Sequence, residues 1–338
     1  METYAFWNNK GGTGKTSLAF QAITRYAEKH PKKRILAIDI CPQANLSELM
    51  LGGLNRGSTK LLALHAQKPR RSLGGYFQLR LLSPYTPPQF KASDYIITPN
   101  AFNTGIPSNI DLVCGDPMLE LQANAVNSLA NQDVPGTKAW IAVIDWLKTF
   151  LDQIEDRYDV VFMDCNPSFS MYTQIALAST KKIILPVMAD DSSRRAIQNA
   201  FCLIYGLKLP SDIYTAYAFA TKLKLADRPL PKVHLIAKNR LTQYMVTASA
   251  YFAVLAAIDN DVRQLLATNP EFFSFTKWDE GFVEVKDFQT TGVVAFAKGL
   301  PFSRVKAGRQ FIDKHRVQVK QEYLDDSIRH LDRLVAKL

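Results

Sequence analysis

Lys10-Gly11-Gly12-Thr13-Gly14-Lys15-Thr16 lies between a β-prone run at residues 3–8 and a helical pattern at about 17–29. A glycine-rich turn with a strand before it and a helix after it leaves few folds open to a chain. Glycines let the backbone curl until successive N–H groups converge, and the N-terminus of the following helix adds the positive end of its dipole. Such a cradle takes phosphate oxygens. Lys15 is placed to neutralise β- and γ-phosphates, and the Thr16 hydroxyl to bind Mg²⁺. The general phosphate-loop pattern, G-x-x-x-x-G-K-[ST], is not met, because Asn9 stands where its first glycine would be. The loop here is a variant with an additional lysine, Lys10, at its start.

Residues 34–40 (RILAIDI) predict a second strand, so the chain opens with a βαβ unit. Short apolar runs at 110–114, 159–163, 183–187 and 233–237 repeat the signature of strands covered on both faces. Residues 138–155 predict one long helix. About six strands separated by helices imply an α/β fold: a doubly wound, mostly parallel sheet with flanking helices. The expected organisation is a single domain over 1–338 with a basic insertion at 49–107 and a mainly helical one at 240–284. Within the first, residues 49–93 hold seven Lys or Arg and no Asp or Glu. The second predicts a helix at 246–267, followed by an aromatic-rich stretch at 272–278.

Apolar residues make up 47% and charged residues 21%, an ordinary globular balance that excludes a disordered or collagen-like chain. A net charge of +10 suits a polyanionic partner, either nucleic acid or an anionic membrane surface. The excess is concentrated: residues 181–240 carry eleven basic and four acidic side chains. The four cysteines, Cys41, Cys114, Cys165 and Cys202, form no C-x-x-C pair, which points to buried free thiols. The N-terminus lacks the basic-then-apolar pattern of a signal peptide, and the uncharged stretch at 241–258 reads as a buried helix. A soluble, cytoplasmic protein is expected.

The K-G-G-T-G-K-T spelling resembles the deviant Walker-A loop of the ParA/MinD family of ATPases. Further segments carry the same resemblance. Ile38-Asp39-Ile40-Cys41-Pro42-Gln43-Ala44-Asn45 is similar to the family's "IDxDPQGN", and Tyr158 to Ser168 (YDVVFMDCNPS) to its Walker B segment, "YDxxxIDCPPS". Ile184-Leu185-Pro186-Val187 and Gly299-Leu300-Pro301 match its "xLIPV" and "GxPV" elements, and the Pro42-Gln43 pair favours the ParA branch. The resemblance spans 3–48, 108–200 and 285–338. It implies ATP and Mg²⁺ as ligands, with Gly11, Gly12, Thr13, Gly14, Lys15, Thr16 and Ser17 around the phosphates. Lys10 would be the signature lysine that reaches the partner's nucleotide in a sandwich homodimer, where Gly11 must be small. Asp164 would hold Mg²⁺ through a water, Asp39 would support the Mg²⁺ shell or the loop, and Asn239 and Pro301 would lie near the adenine.

One departure bears on chemistry. The family's second aspartate in "DxD", which orients the attacking water, is Cys41 here. A neutral thiol is a poor substitute for a carboxylate, and losing a water-positioning group costs on the order of 10²–10⁴ in rate. Slow hydrolysis follows, unless Cys41 is only a tolerated small residue. The resemblance implies a partition or positioning ATPase: an ATP dimer that binds non-specific DNA, is nucleoid-associated, and is released when a ParB-like adaptor stimulates hydrolysis. Arg194, Arg195, Lys222, Lys224 and Arg228 are candidate DNA contacts; Arg194 and Arg195 could equally pair with nearby acids. The bases of 49–93 with Tyr76, Phe77, Tyr85 and Phe90 between them have the interleaving of a nucleic-acid surface, or of a loop that docks a protein. Two other readings are open. A MinD-like membrane-cycling ATPase would use the apolar face of residues 324–338 on lipid, although Asp325, Asp326 and Asp332 favour packing on the sheet. A nucleotide-locked scaffold would use Cys41 to stay bound.

Overall fold

The computed structural model describes residues 1–54, 56–241 and 248–338, with backbone alone for 240–241 and 248–252. Among these residues, eight strands form one sheet: β1 (Glu2–Phe6), β2 (Ile35–Ile40), β3 (Ile96–Ile97), β4 (Ile110–Val113), β5 (Val160–Cys165), β6 (Lys182–Val187), β7 (Lys232–Leu241) and β8 (Phe282–Lys286). Their order is β3-β4-β2-β5-β1-β6-β7-β8, and all neighbours are parallel except β3 and β4. A separate antiparallel hairpin pairs β9 (Gly308–Ile312) with β10 (His315–Val319).

Alternation along the apolar strands feeds two cores. In β1, Tyr4 and Phe6 enter one layer, while Ala5 and the following Trp7 enter the other. The first layer is covered by α1 (Lys15–Lys29), α2 (Asn45–Leu51), α3 (Arg56–His65), α12 (Gln289–Lys298) and α13 (Gln321–Val335). The second is covered by α4 (Leu73–Leu82), α5 (Met118–Ala130), α6 (Ala139–Ile144), α7 (Trp146–Asp152), α8 (Met171–Ala178), α9 (Asp191–Tyr205), α10 (Phe219–Leu225) and α11 (Ala248–Thr268).

All six expected strands are present. The two additional ones are edge elements: β3 has two residues, and β8 (FVEVK) mixes charge with apolar residues as exposed edges do. The single helix expected at 138–155 is instead α6 and α7, broken at Asp145, whose ψ of 6° leaves helical geometry and whose carboxylate pairs with Arg228.

The basic insertion is not an open surface of bases and rings. Tyr76 and Phe77 are 0% and 1% exposed, and Tyr76 packs edge-on against Tyr95 and Phe150 while Phe77 meets Trp146. Arg80 is buried with them, over the Trp146 ring. Together with Leu73 and Arg80 these rings form one buried face of α4, which corrects the stacking surface expected of Tyr76 and Phe77. In the second insertion, positions 246 and 247 of the expected helix lie outside the described residues. Ile258 and Val262 of α11 are buried against the second layer, and Lys238 of β7, itself buried, pairs with Asp259 under the rings of Trp278 and Phe282.

The C-terminal helix packs on the sheet. Leu324, Leu331, Leu334 and Val335 are buried, and Asp332 holds Arg25 of α1 through two bonds of 2.7 and 3.0 Å. No described helix is long and apolar enough to cross a membrane. Leu334→Ala is expected to cost about 2–5 kcal/mol in urea unfolding, because Leu334 is fully buried. A loss below about 1 kcal/mol would contradict this packing.

Candidate nucleotide site

The sheet register assembles the site. Phe6 ends β1 opposite Asp164 of β5, which in turn lies opposite Asp39 of β2. The loop from β1 to α1 therefore starts beside both carboxylates. Gly12 and Gly14 each have φ of 74°, the left-handed conformation that a side chain disfavours, and Gly14 caps α1. Asn8 shapes the entry: its amide donates to Pro186 O (2.8 Å) and its Oδ1 accepts from Lys10 N (3.1 Å). Asn239, at the end of β7, donates to Thr13 O at 2.8 Å and fastens the loop's crest.

Lys15 is buried, and its ammonium donates to Lys10 O across the loop (3.2 Å). Burial pulls its pKa down, against the opposing charge of Asp164. Asp164 is 1% exposed, and neither of its oxygens has a hydrogen-bond partner. Burial raises its pKa, and the charge of Asp39 raises it further, against Thr16 and Lys15. An orphaned buried carboxylate is costly, and a cation offsets that cost. Together with the Thr16 hydroxyl it fits Mg²⁺, which takes one or two protein ligands and completes its shell with phosphate oxygens and water. Thr13 Oγ1 and Asn239 Oδ1 are further buried acceptors without partners around the loop.

Asp39 differs. It is 0% exposed, and it accepts from Cys41 N (3.1 Å), Ser47 N (2.9 Å) and Ser47 Oγ (2.8 Å). Burial nonetheless raises its pKa. In this geometry Asp39 braces the turn into α2. Cys41 sits in that turn, 8% exposed, with Sγ 3.9 Å from Asn166 Nδ2. Burial and the neighbouring Asp39 push its thiol up to about 12, so it is protonated at neutral pH. Ala44, where the family pattern has glycine, is left-handed at φ 53°.

Lys10 meets an acid far from it in sequence. Its Nζ lies 2.7 and 2.5 Å from the two oxygens of Asp190 and 3.2 Å from Ser193 Oγ. Burial works against the charge of Asp190, but bonds from Lys10, Ser192 and Ser193 hold it down at about 2. Asp190 also caps α9, so the only prior signal was an aspartate before a helix.

Pro301 is buried between Leu300, whose carbonyl accepts from Gln21 Nε2 (3.2 Å), and Phe302, whose N–H donates to Gln21 Oε1 (2.9 Å). Gln21 is six residues beyond Lys15, about 9 Å along α1. Among the candidate DNA residues, Arg194 pairs with Asp261 at 2.9 Å, Arg195 with Asp191 and Arg228 with Asp145. Lys222 lies over the Trp140 ring, and Lys224 is exposed.

Comparison with known proteins agrees with this architecture. Residues 1–208 match the AAA domain family. The chain is 28% identical over 189 residues to the chromosome-partitioning ATPase Soj of Treponema pallidum, covering 56% of this chain and 58% of that one. It is 24% identical over 213 residues to the virulence plasmid ParA family protein pGP5-D of Chlamydia psittaci, covering 62% and 66%. The matches span 39–66% of the length of these and similar curated relatives. The fold is shared with apo McdA of Cyanothece, at a TM-score of 0.61 and 13% identity over 98% of both chains. With residues 1–208 matched by the family model and the parallel sheet in place, the chain belongs to the ParA/MinD family of P-loop ATPases.

Proposed function

We propose that the chain is a ParA-type ATP switch. Mg-ATP binds at the 10–17 loop, two copies close face to face, and the dimer binds DNA without sequence preference. The observation that carries this reading is the pair of orphaned Asp164 oxygens beside Thr16 and the buried Lys15 ammonium. These residue types fit a metal–polyphosphate. Mg²⁺ would supply charge neutralisation of the phosphates. Lys15 and the loop N–H groups would bind and orient phosphate, Asp164 and Thr16 would hold the ion, and Asn239 keeps the crest in shape. The net charge of +10 supports a polyanionic matrix such as DNA, whose contacts would be salt-sensitive. A ParB-like adaptor that triggers hydrolysis belongs to the same reading. Cys41, protonated and unable to act as a base, supports slow unstimulated turnover. The buried apolar face of α13 gives lipid binding no comparable support.

Gly11 provides the test of dimer closure. It is exposed, and a Cβ built on it meets nothing within 4 Å. Gly11→Val should therefore leave the thermal unfolding of the single chain unchanged. Sedimentation with a non-hydrolysable ATP analogue should show wild type as a dimer and the variant as a monomer, with dimer affinity reduced at least about 10-fold, since overpacking typically costs 1–3 kcal/mol. A variant that dimerises like wild type would exclude loop-to-loop closure.

A further inference from the structure

Lys10 is expected to act on a second subunit, yet its ammonium is fully engaged within its own chain. An ammonium has three N–H donors. Here they face three acceptors: both Asp190 oxygens, at 2.7 and 2.5 Å, and Ser193 Oγ, at 3.2 Å. These acceptors sit on a fixed element. Asp190 caps α9 by accepting from Ser193 N (2.7 Å), and Ser193 Oγ accepts from Met188 N (3.0 Å). The first two turns of α9 are held from the other side, where Arg194 Nε and Gln198 Nε2 both donate to Asp261 of α11 at 2.9 Å. The contact thus ties the phosphate loop after β1 to the end of the adjacent strand β6.

We propose that Asp190 is a positioning residue that withholds Lys10 from nucleotide. While the ion pair stands, Lys10 cannot present the same three donors to a phosphate. Closure of two subunits must exchange a carboxylate on α9 for phosphate oxygens, and Asp190 sets the threshold for that exchange. This rests on the dimer reading above. It goes beyond that reading by naming the intrasubunit partner that dimer closure has to displace.

Asp190→Asn is the discriminating variant. Asparagine caps helices as well as aspartate does and has the same shape, so α9 keeps its start while Lys10 loses its counter-charge. Asp190→Ser, also a capping residue, serves if the amide proves unstable in thermal unfolding. Two readouts are made on the full chain. The first is the rate at which limiting acetic anhydride modifies Lys10 without nucleotide, followed by peptide mass spectrometry with Lys29 as the internal control. The second is dimer affinity by sedimentation with a non-hydrolysable ATP analogue. The expected result is about a 3- to 10-fold rise in both, the scale of a bidentate, part-exposed ion pair. The gain in dimer affinity should vanish in Lys10→Ala/Asp190→Asn relative to Lys10→Ala alone. An unchanged Lys10 rate overturns the proposal. So does a faster rate with unchanged dimer affinity, or a gain that persists without Lys10. If neither wild type nor variant dimerises, the dimer reading fails, and the modification rate still decides whether Asp190 holds Lys10.

Discussion

Replacing Lys15 with alanine lowers the affinity for ATP by at least about 100-fold. The ammonium is buried at the loop's centre and spends its bonding on Lys10 O, a backbone acceptor that phosphate oxygens can replace. Hydrogen bonds to charged groups contribute about 1.5–3 kcal/mol each, so losing two of them corresponds to roughly 10²–10⁴ in affinity. Titration calorimetry of wild type and variant with Mg-ATP measures this directly, and circular dichroism checks that the fold is retained. Affinity within about 10-fold of wild type would mean that the loop is not the nucleotide site.

Cys41→Asp raises ATP turnover by on the order of 10²-fold, the lower end of what positioned general-base chemistry contributes. The thiol stands in the turn that Asp39 and Ser47 support, beside Asn166. Its pKa of about 12 leaves it protonated, with no capacity to orient or accept a proton from water. A carboxylate there restores that capacity at the cost of a third acid near Asp39 and Asp164. A phosphate-release assay with saturating Mg-ATP, run beside a calorimetric check of binding, gives the answer. Unchanged turnover with intact binding would show that position 41 does not limit hydrolysis, and the locked or slowed switch would fall with it.

The candidate phosphate loop was legible because its parts are local. A glycine-rich turn between a strand and a helix is read from seven consecutive residues, and the apolar run ending in Asp164 carries its own signature. The six covered strands were legible for the same reason. What the sequence withheld depends on packing. The rings at 76 and 77 read the same whether they face solvent or a core, and only the position of α4 against Phe150 and Trp146 decides between them. The edge strand β8 lacks the apolar run that marks its neighbours. The Lys10–Asp190 pair joins residues 180 apart, and no spacing rule reaches that far.

ATP, on the reading proposed above, switches this chain onto DNA. The direct measurement is binding to random-sequence duplex DNA with no nucleotide, ADP, ATP or a non-hydrolysable ATP analogue, each at two salt concentrations. Binding only in the ATP forms, weakened at higher salt as released counterions require, is the predicted result. No binding in any nucleotide state, or equal binding in all of them, would contradict it.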